Sequence, residues 1–486
     1  MESIGMSKQY CRCEFFKLSS AFMVGGILLG CVSTSVFAAQ LKDRPNVILC
    51  MCDDLGWGDV AYHGTNPDIK TPHLDKMAAN GLQFSRFYAG APVCSPTRGS
   101  VLTGRHPYRY GVEFANVGHM KSQELTLAEA LKPLDYSTGH FGKWHLGTLT
   151  KTIKDGRKGG RPENDQHYSP PWENGFDACF STEQALPTWN PMEKQPFLTR
   201  YWTGPDQFVP LDDDSLKGDD SRVIMDRAIP FIQNAVKQQK PFLAVIWFHT
   251  PHSPTVAGPE YKAMYSDLDD NHQHYYGCVT AMDEQMGRLR KELKDLGVAD
   301  NTMLWFCSDN GPAGAGGGTR QTPGKQQQGS PGPYRGRKGS LYEGGVRVPG
   351  LLEWPAKIQS HRITPVPCST SDYLPTILDV LGLQTDNTTK PVDGISLVPL
   401  INGKMDSRTL PIGFQSRKQQ SLTDNQYKLY SRDSGKTYEL YDLENDPYET
   451  SDIAAANPEV VESMKKSLQE WIESCQNSSN GLDYND

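Results

Sequence analysis

Three short runs constrain this chain more than any other feature. Pro45–Cys52 (PNVILCMC), Lys240–His249 (KPFLAVIWFH) and Asn301–Ser308 (NTMLWFCS) are apolar throughout, not at every second residue. A strand with one wet face alternates, whereas a continuously apolar strand is covered on both faces, as in the interior of a parallel or mixed sheet. Helical patterns lie between the runs. TPHLDKMAANG closes on Gly81, TLAEALKPL follows, and YYGCVTAMDEQMGRLRKELKDLG closes on Gly297. Strands alternating with helices predict an α/β fold, a large mixed and mostly parallel sheet sandwiched by helices. After about residue 400 the texture changes. NQYKLYSR and TYELYDL alternate like strands of a half-wet antiparallel sheet, and NPEVVESMKKSLQEWIESC reads as an amphipathic helix capped by Asn457 with Pro458 at its first position. The expected division is a large α/β domain over 39–400 and a small C-terminal α+β domain over 401–486.

Residues 1–38 read as a signal peptide. Lys8, Arg12 and Lys17 precede the apolar AFMVGGILLGCVSTSVFA, and VFA before Ala39 is a small-residue cleavage site. LLGC, ending at Cys31, also resembles a lipoprotein box, so the expected location is periplasmic or secreted, with lipid anchoring through Cys31 as a variant. No second long apolar run follows, so no transmembrane span is expected in the mature chain. The net charge of −8 argues against a nucleic-acid partner, yet a local basic pocket would suffice for a small anionic substrate. Of the eleven cysteines, Cys11, Cys13 and Cys31 fall in the leader, and the others show no paired spacing. Buried thiols are expected in preference to a disulfide framework.

In open α/β sheets ligands bind outside the carboxyl ends of the strands. The first run delivers Asp53 and Asp54 there. A strand at about Tyr136–Phe141 delivers Lys143 and His145, the next His249 and His252, and the last Asp309 and Asn310. A lone acidic pair is usually a cap or a solvated turn. Two pairs of oxygen donors at two strand ends point instead to a hard cation, Ca²⁺ or Mg²⁺. His249 is expected as a hydrogen-bonded strand-end histidine, and Arg347 in GGVRVP as a salt-bridge partner.

Cys94 stands directly before Pro96 at the start of a helical pattern, with Arg98 one turn on. A buried structural cysteine and a low-pKa nucleophile are the ordinary explanations. Neither accounts for a hard-metal site beside it, because thiolate is a poor calcium partner. CSPTRGSVLTGR, with its Cys-x-Pro-x-Arg core and Leu-Thr-Gly-Arg extension, closely resembles the signature of the type I, formylglycine-dependent sulfatases of the alkaline-phosphatase superfamily. PNVILCMCDDLGWGD, GKWHLG, TPHSP, FCSDNGP, RGRKGSLYEGGVRVP and YELYDLENDPYETSDIA are similar to further segments of that family, in its order, over nearly the whole mature chain.

The resemblance implies that a maturation enzyme converts Cys94 to formylglycine (3-oxoalanine), whose hydrate supplies the oxygen that a thiol cannot. It implies one Ca²⁺ held by Asp53, Asp54, Asp309, Asn310 and the modified Cys94. Arg98 and Lys143 would hold the hydrate, and His145 would contact its second hydroxyl and take its proton. His252 and Lys338 would face the sulfate, with His252 protonating the leaving oxygen and Asp309 accepting the nucleophile's proton. The implied activity is hydrolysis of sulfate monoesters through a covalent sulfo-enzyme. The substrate would be a sulfated carbohydrate or an aryl sulfate, and Trp172, Trp189 and Trp202 would either stack on sugar rings or pack loops down. The alternatives are a phosphate or phosphonate monoester hydrolase of the same superfamily, and a non-catalytic protein that binds sulfated glycans.

Overall fold

The computed structural model describes residues 44–195, 198–313, 329–383 and 390–484. The leader with Cys31, the QQQ run and the sequon at Asn387 lie outside the described residues. Five parallel strands form the centre of a ten-stranded sheet: Asn46–Cys52 (β1), Ser137–Lys143 (β2), Ala178–Thr182 (β3), Phe242–Trp247 (β4) and Thr302–Ser308 (β5), in the spatial order β5-β1-β4-β2-β3. Gly350–Glu353 (β6) pairs antiparallel with β5 and makes the sheet mixed.

The apolar runs are continuous because each feeds two cores. Val47, Leu49 and Met51 enter the cluster on one face, which also takes Leu243, Val245, Trp247, Met303 and Trp305. Ile48, Cys50 and Cys52 enter the cluster on the other, with Phe242, Ala244, Ile246, Leu304 and Phe306. Helices Pro72–Asn80 (α1), Asp220–Lys237 (α3) and Asp270–Asp295 (α4) cover the second face, and Cys94–Thr103 (α2) lies on the first. Helix α4 begins upstream of its apolar pattern because the Asp269 carboxylate accepts the N–H groups of Asn271 and His272 at 2.9 and 3.2 Å. The eight described cysteines are all free thiols. No helix among the described residues is long and apolar enough to cross a membrane.

A four-stranded antiparallel sheet follows, Ile412–Ser416 (β7), Gln419–Thr423 (β8), Tyr427–Ser431 (β9) and Glu439–Asp442 (β10), with helix Pro458–Ser479 (α5) packed on it through Met464 and Leu468. The alternating pattern located only β9 and β10, because IGFQS and QQSLT are too polar to read as strands. Asn457 does sit at the N-cap, but its side chain makes no cap. Its Nδ2 donates backwards to the Ile453 carbonyl at 3.0 Å. Trp202 is fully buried and Trp172 packs against the core, so these two pack loops down.

Candidate active site

Parallel register places the strand tips side by side. Cys52 is level with Ser308, and the ladder continues past both strands: Asp309 N–H donates to the Cys52 carbonyl, and Asp53 N–H to Thr250, each at 3.0 Å. Asp53, Asp54, Asp309 and Asn310 therefore meet on one rim and are all buried. Strand β2 runs two residues further than the sequence suggested, so Lys143 is its last residue. Asp54 and His145 lie just past their strands with φ of 68° and 57°, left-handed values that turn each side chain out of strand alternation.

Helix α2 brings Cys94 to this rim. Ligand atoms of Asp53, Cys94 and Asp309 all lie within 4.8 Å of one another, as do those of Asp53, Asp54 and His252. Three cations hold the carboxylates. Lys143 Nζ donates to Asp53 Oδ2 at 2.6 Å, Lys338 Nζ to Asp54 Oδ1 at 2.5 Å, and Arg98 to Asp309 Oδ2 at 2.6 Å. Arg98 is wholly buried, donates also to the Lys143 carbonyl at 2.9 Å, and sits over the Trp247 ring.

The electrostatics of the rim separate two neighbouring acids. Burial raises the pKa of Asp53, but Lys143, His252, Arg98 and Lys338 outweigh it and hold the carboxyl well below the usual range. Asp309 is pushed up to about 7 by burial and by Asp53, against Arg98 and Lys143. Burial, opposed by Lys143 and Lys338, raises the Cys94 thiol, so this cysteine is not an activated thiolate.

Two observations fit a hard divalent cation here. The donors are three carboxylates and an amide, and Asp53 Oδ1 and Asn310 Oδ1 are buried without a hydrogen-bond partner. Asp53, Asp54, Asp309 and Asn310 are the oxygen donors that would hold such an ion, with Cys94 beside them.

Two histidines stand at the mouth. His252 Nδ1 lies 2.7 Å from the Ser253 carbonyl, which makes Nδ1 the protonated nitrogen and turns Nε2 towards Asp54 Oδ2, 3.8 Å away. His145 Nε2 lies 3.0 Å from Asn116 Oδ1, so Nε2 carries the proton and Nδ1 is left as a buried acceptor without a partner. Asn116 was missed in the sequence; its only signal is an asparagine suited to φ 62°, two residues before a glycine. His249 has both nitrogens used, Nδ1 by Asp220 at 2.7 Å and Nε2 by Thr182 at 2.8 Å. Arg347 pairs with Glu343 at 3.3 Å and donates to the Ser85 carbonyl.

The Lys338 segment is held from three sides. Lys338 N–H donates to the Pro312 carbonyl at 3.1 Å and Gly339 N–H to Pro92 at 2.8 Å. From the small sheet, Gln419 donates to the Gly339 carbonyl at 2.8 Å and accepts the Leu341 N–H at 3.0 Å. The sequence offered no sign of Gln419, because its partners are contacts that folding creates.

Comparisons with known proteins identify the family. Residues 45–383 match the family model described as Sulfatase, and residues 336–477 match that of the N-sulphoglucosamine sulphohydrolase C-terminal region. The chain is 29% identical over 427 residues to the N-acetylgalactosamine-6-sulfatase of Canis lupus familiaris, covering 83% of this chain and 75% of that protein. It is 29% identical over 507 residues to arylsulfatase G of Rattus norvegicus, covering 93% and 91%. Its fold is similar to the crystal structure of Ps i-CgsB in complex with k-i-k-neocarrahexaose, with a TM-score of 0.73, 26% identity, and 88% and 92% of the two chains covered. The chain thus belongs to the sulfatase family of sulfuric ester hydrolases, within the alkaline-phosphatase superfamily.

Proposed function

We propose that this sulfatase hydrolyses sulfate monoesters on a sulfated carbohydrate, and aryl sulfates, with Cys94 converted to formylglycine and Ca²⁺ held by Asp53, Asp54, Asp309, Asn310 and residue 94. The observation that carries the reading is the meeting of Cys94, Asp53 and Asp309 within 4.8 Å, under three cations. When present, the formylglycine hydrate supplies the attacking oxygen and the cation screens its charge.

The chain's own residues supply the rest. Arg98, Lys143 and Lys338 form a fixed positive cage, so the negative sulfate meets charge already oriented and no solvent has to rearrange. Asp309, raised to about 7, suits a proton acceptor near neutrality. With Nδ1–H kept on the Ser253 carbonyl, His252 acts as the imidazolium: it takes a second proton from water on Nε2 and gives that proton to the leaving oxygen as the S–O bond to the sugar breaks, and the alcohol departs. Burial lowers the pKa of His252 to about 4, opposed by Asp53 and Asp54, and the negative charge of a bound sulfate acts in the same direction as those two carboxylates. The His145 Nδ1 atom accepts the proton released in the second half of the reaction. Burial, with Lys143 and Arg98, keeps its ring neutral for that task. Overall one water is consumed, and an alcohol and sulfate are released.

We also propose that the chain is exported by the leader over 1–38, periplasmic or secreted with lipid attachment at Cys31 as the variant, and that 39–400 and 401–486 are its two domains.

The test pairs intact-mass measurement with sulfate release. Protein co-expressed with a maturation enzyme is expected to show residue 94 modified, to release sulfate from 4-nitrophenyl sulfate faster than phosphate from 4-nitrophenyl phosphate, and to slow on chelation of Ca²⁺. Full activity from an unmodified thiol overturns the scheme. A preference for the phosphate ester assigns the site to the phosphatase branch instead, and binding without any release makes it a glycan receptor.

A further inference from the structure

A cleft opens beside the rim, on the side of His145. It is lined by Ser95, Asn116, His145, Lys158, His167 and Glu183 among others, and it holds about 20 Å³, room for a water-sized group such as one oxygen of an oxyanion. Ser95 is the chain neighbour of Cys94, and His145 is shared with the reacting site, so a group entering this cleft lies close to the scissile sulfate.

Lys158 sits on an unusual support. The Glu183 carboxylate is buried and accepts three successive backbone N–H groups, those of Arg157 at 3.1 Å, Lys158 at 3.0 Å and Gly159 at 3.0 Å. The Arg161 guanidinium ties the Asp155 and Gly159 carbonyls from the other side, at 3.3 and 3.1 Å. The Glu183 carboxyl thus holds the loop, burial raises its pKa to about 7, which limits its negative charge at the cleft, and the loop presents Lys158 at the cleft wall. Lys158 is half-buried, and its ammonium makes no hydrogen bond or ion pair with the described residues. Beside it, His167 Nδ1 faces His119 Nδ1 at 3.3 Å, which leaves His167 Nε2 without a partner among the described residues. The Lys158 ammonium and the His167 ring nitrogen are therefore both available to an anion that enters the cleft.

We infer that this cleft binds a second oxyanion of the substrate, a carboxylate or a second sulfate next to the sulfate being cleaved, with Lys158 as its countercharge and His167 as a neutral hydrogen-bonding partner. The substrate class is therefore a polyanionic glycan, not an isolated monosulfated sugar. The inference rests on the sulfatase reading above, and it adds a specificity determinant to that reading.

The test compares matched pairs among the sugar sulfates from which the wild type releases sulfate. One pair is a sulfated uronate-containing disaccharide and the same molecule with its carboxyl reduced to the alcohol. The other is a disulfated hexosamine and its monosulfated counterpart; the two pairs distinguish carboxylate from sulfate. In at least one pair the anionic member is expected to have a kcat/KM about tenfold higher, the effect of one charge-assisted contact. Lys158→Ala is expected to erase that ratio mainly through KM, and Lys158→Arg to restore most of it. Rates on 4-nitrophenyl sulfate serve as the reference for each variant. Wild-type activity on that ester with no preference within either pair overturns the inference and leaves the sulfatase reading standing. So does a Lys158→Ala loss that is equal on every ester. No sulfate release from any ester removes both.

Discussion

The large sheet delivers its charged groups by register. Asp53, Lys143 and Asp309 stand at or one residue past the ends of hydrogen-bonded parallel strands, and each carboxylate there has a cation within about one hydrogen bond. The small C-terminal sheet works through side-chain contacts. Lys428, fully buried on β9, lies between Glu343 at 3.0 Å and Glu449 at 2.9 Å, and Gln419 on β8 grips the backbone on either side of Ser340. One lysine there is shared by two acids, one of which also meets Arg347 at 3.3 Å, whereas the rim gives each of its three carboxylates a cation of its own. In the function proposed above, charge in the first region meets a substrate. In the second it fastens the segment that carries Lys338 onto the rest of the fold.

Substitutions can break or sharpen that contrast. Cys94→Ala is expected to reduce sulfate release below detection while the thermal transition moves by only a few degrees; residual turnover would mean the rim does not act through residue 94. Lys338→Ala should lower kcat/KM by about a hundredfold or more, the scale of losing one preorganised charge, with a smaller stability loss than Lys428→Ala because Asp54 keeps the Asn310 Nδ2 donor at 2.7 Å. Lys428→Ala should do the reverse in kind. It leaves Glu449 buried without its cation and Glu343 with Arg347 alone, and should cost about 3–5 kcal/mol in urea unfolding. Gln419→Ala should cost about 1 kcal/mol of stability and about tenfold in kcat/KM. Its kinetic effect should vanish when Lys338 is already alanine, and additivity of the two losses would deny the link between the small sheet and the site.

The smallest effect concerns pH. Burial, reinforced by Glu343 and opposed by Lys428, raises Glu449 from an ordinary 4.5 to about 7. Between those values the folded chain holds a proton that the unfolded chain has released, so this group's stabilisation is full below about pH 4.5 and lost as the pH rises to about 7. Glu449→Gln should flatten that part of the stability profile. Asp53, held low by its cations, runs the other way: its contribution is present above the ordinary carboxyl range and is lost only in acid.

Three of the strands that build the rim, β1, β4 and β5, were legible because their apolar runs had to fill two cores. The acids after them were legible as the residues where those runs stop. Strands β7 and β8 were not, because their stability comes from neighbours and not from a pattern of their own. Asn116 and Gln419 were invisible for a related reason: an amide acquires a role only when folding brings it to a particular ring or backbone segment. Arg98 was placed one turn from Cys94 by helical spacing, but its grip on Asp309 spans 211 residues of chain.

By itself the sequence determined the α/β class, the rim-bound acids, lysine and histidines, and the resemblance carried by Cys94 and its neighbours, since hydrophobic periodicity and short motifs are local. Only the tertiary structure decided which carboxylate faces which cation, which nitrogen of His145 and His252 is free to exchange a proton, and how the small sheet fastens Lys338. Those outcomes depend on distances between segments far apart in the chain, and packing alone sets such distances.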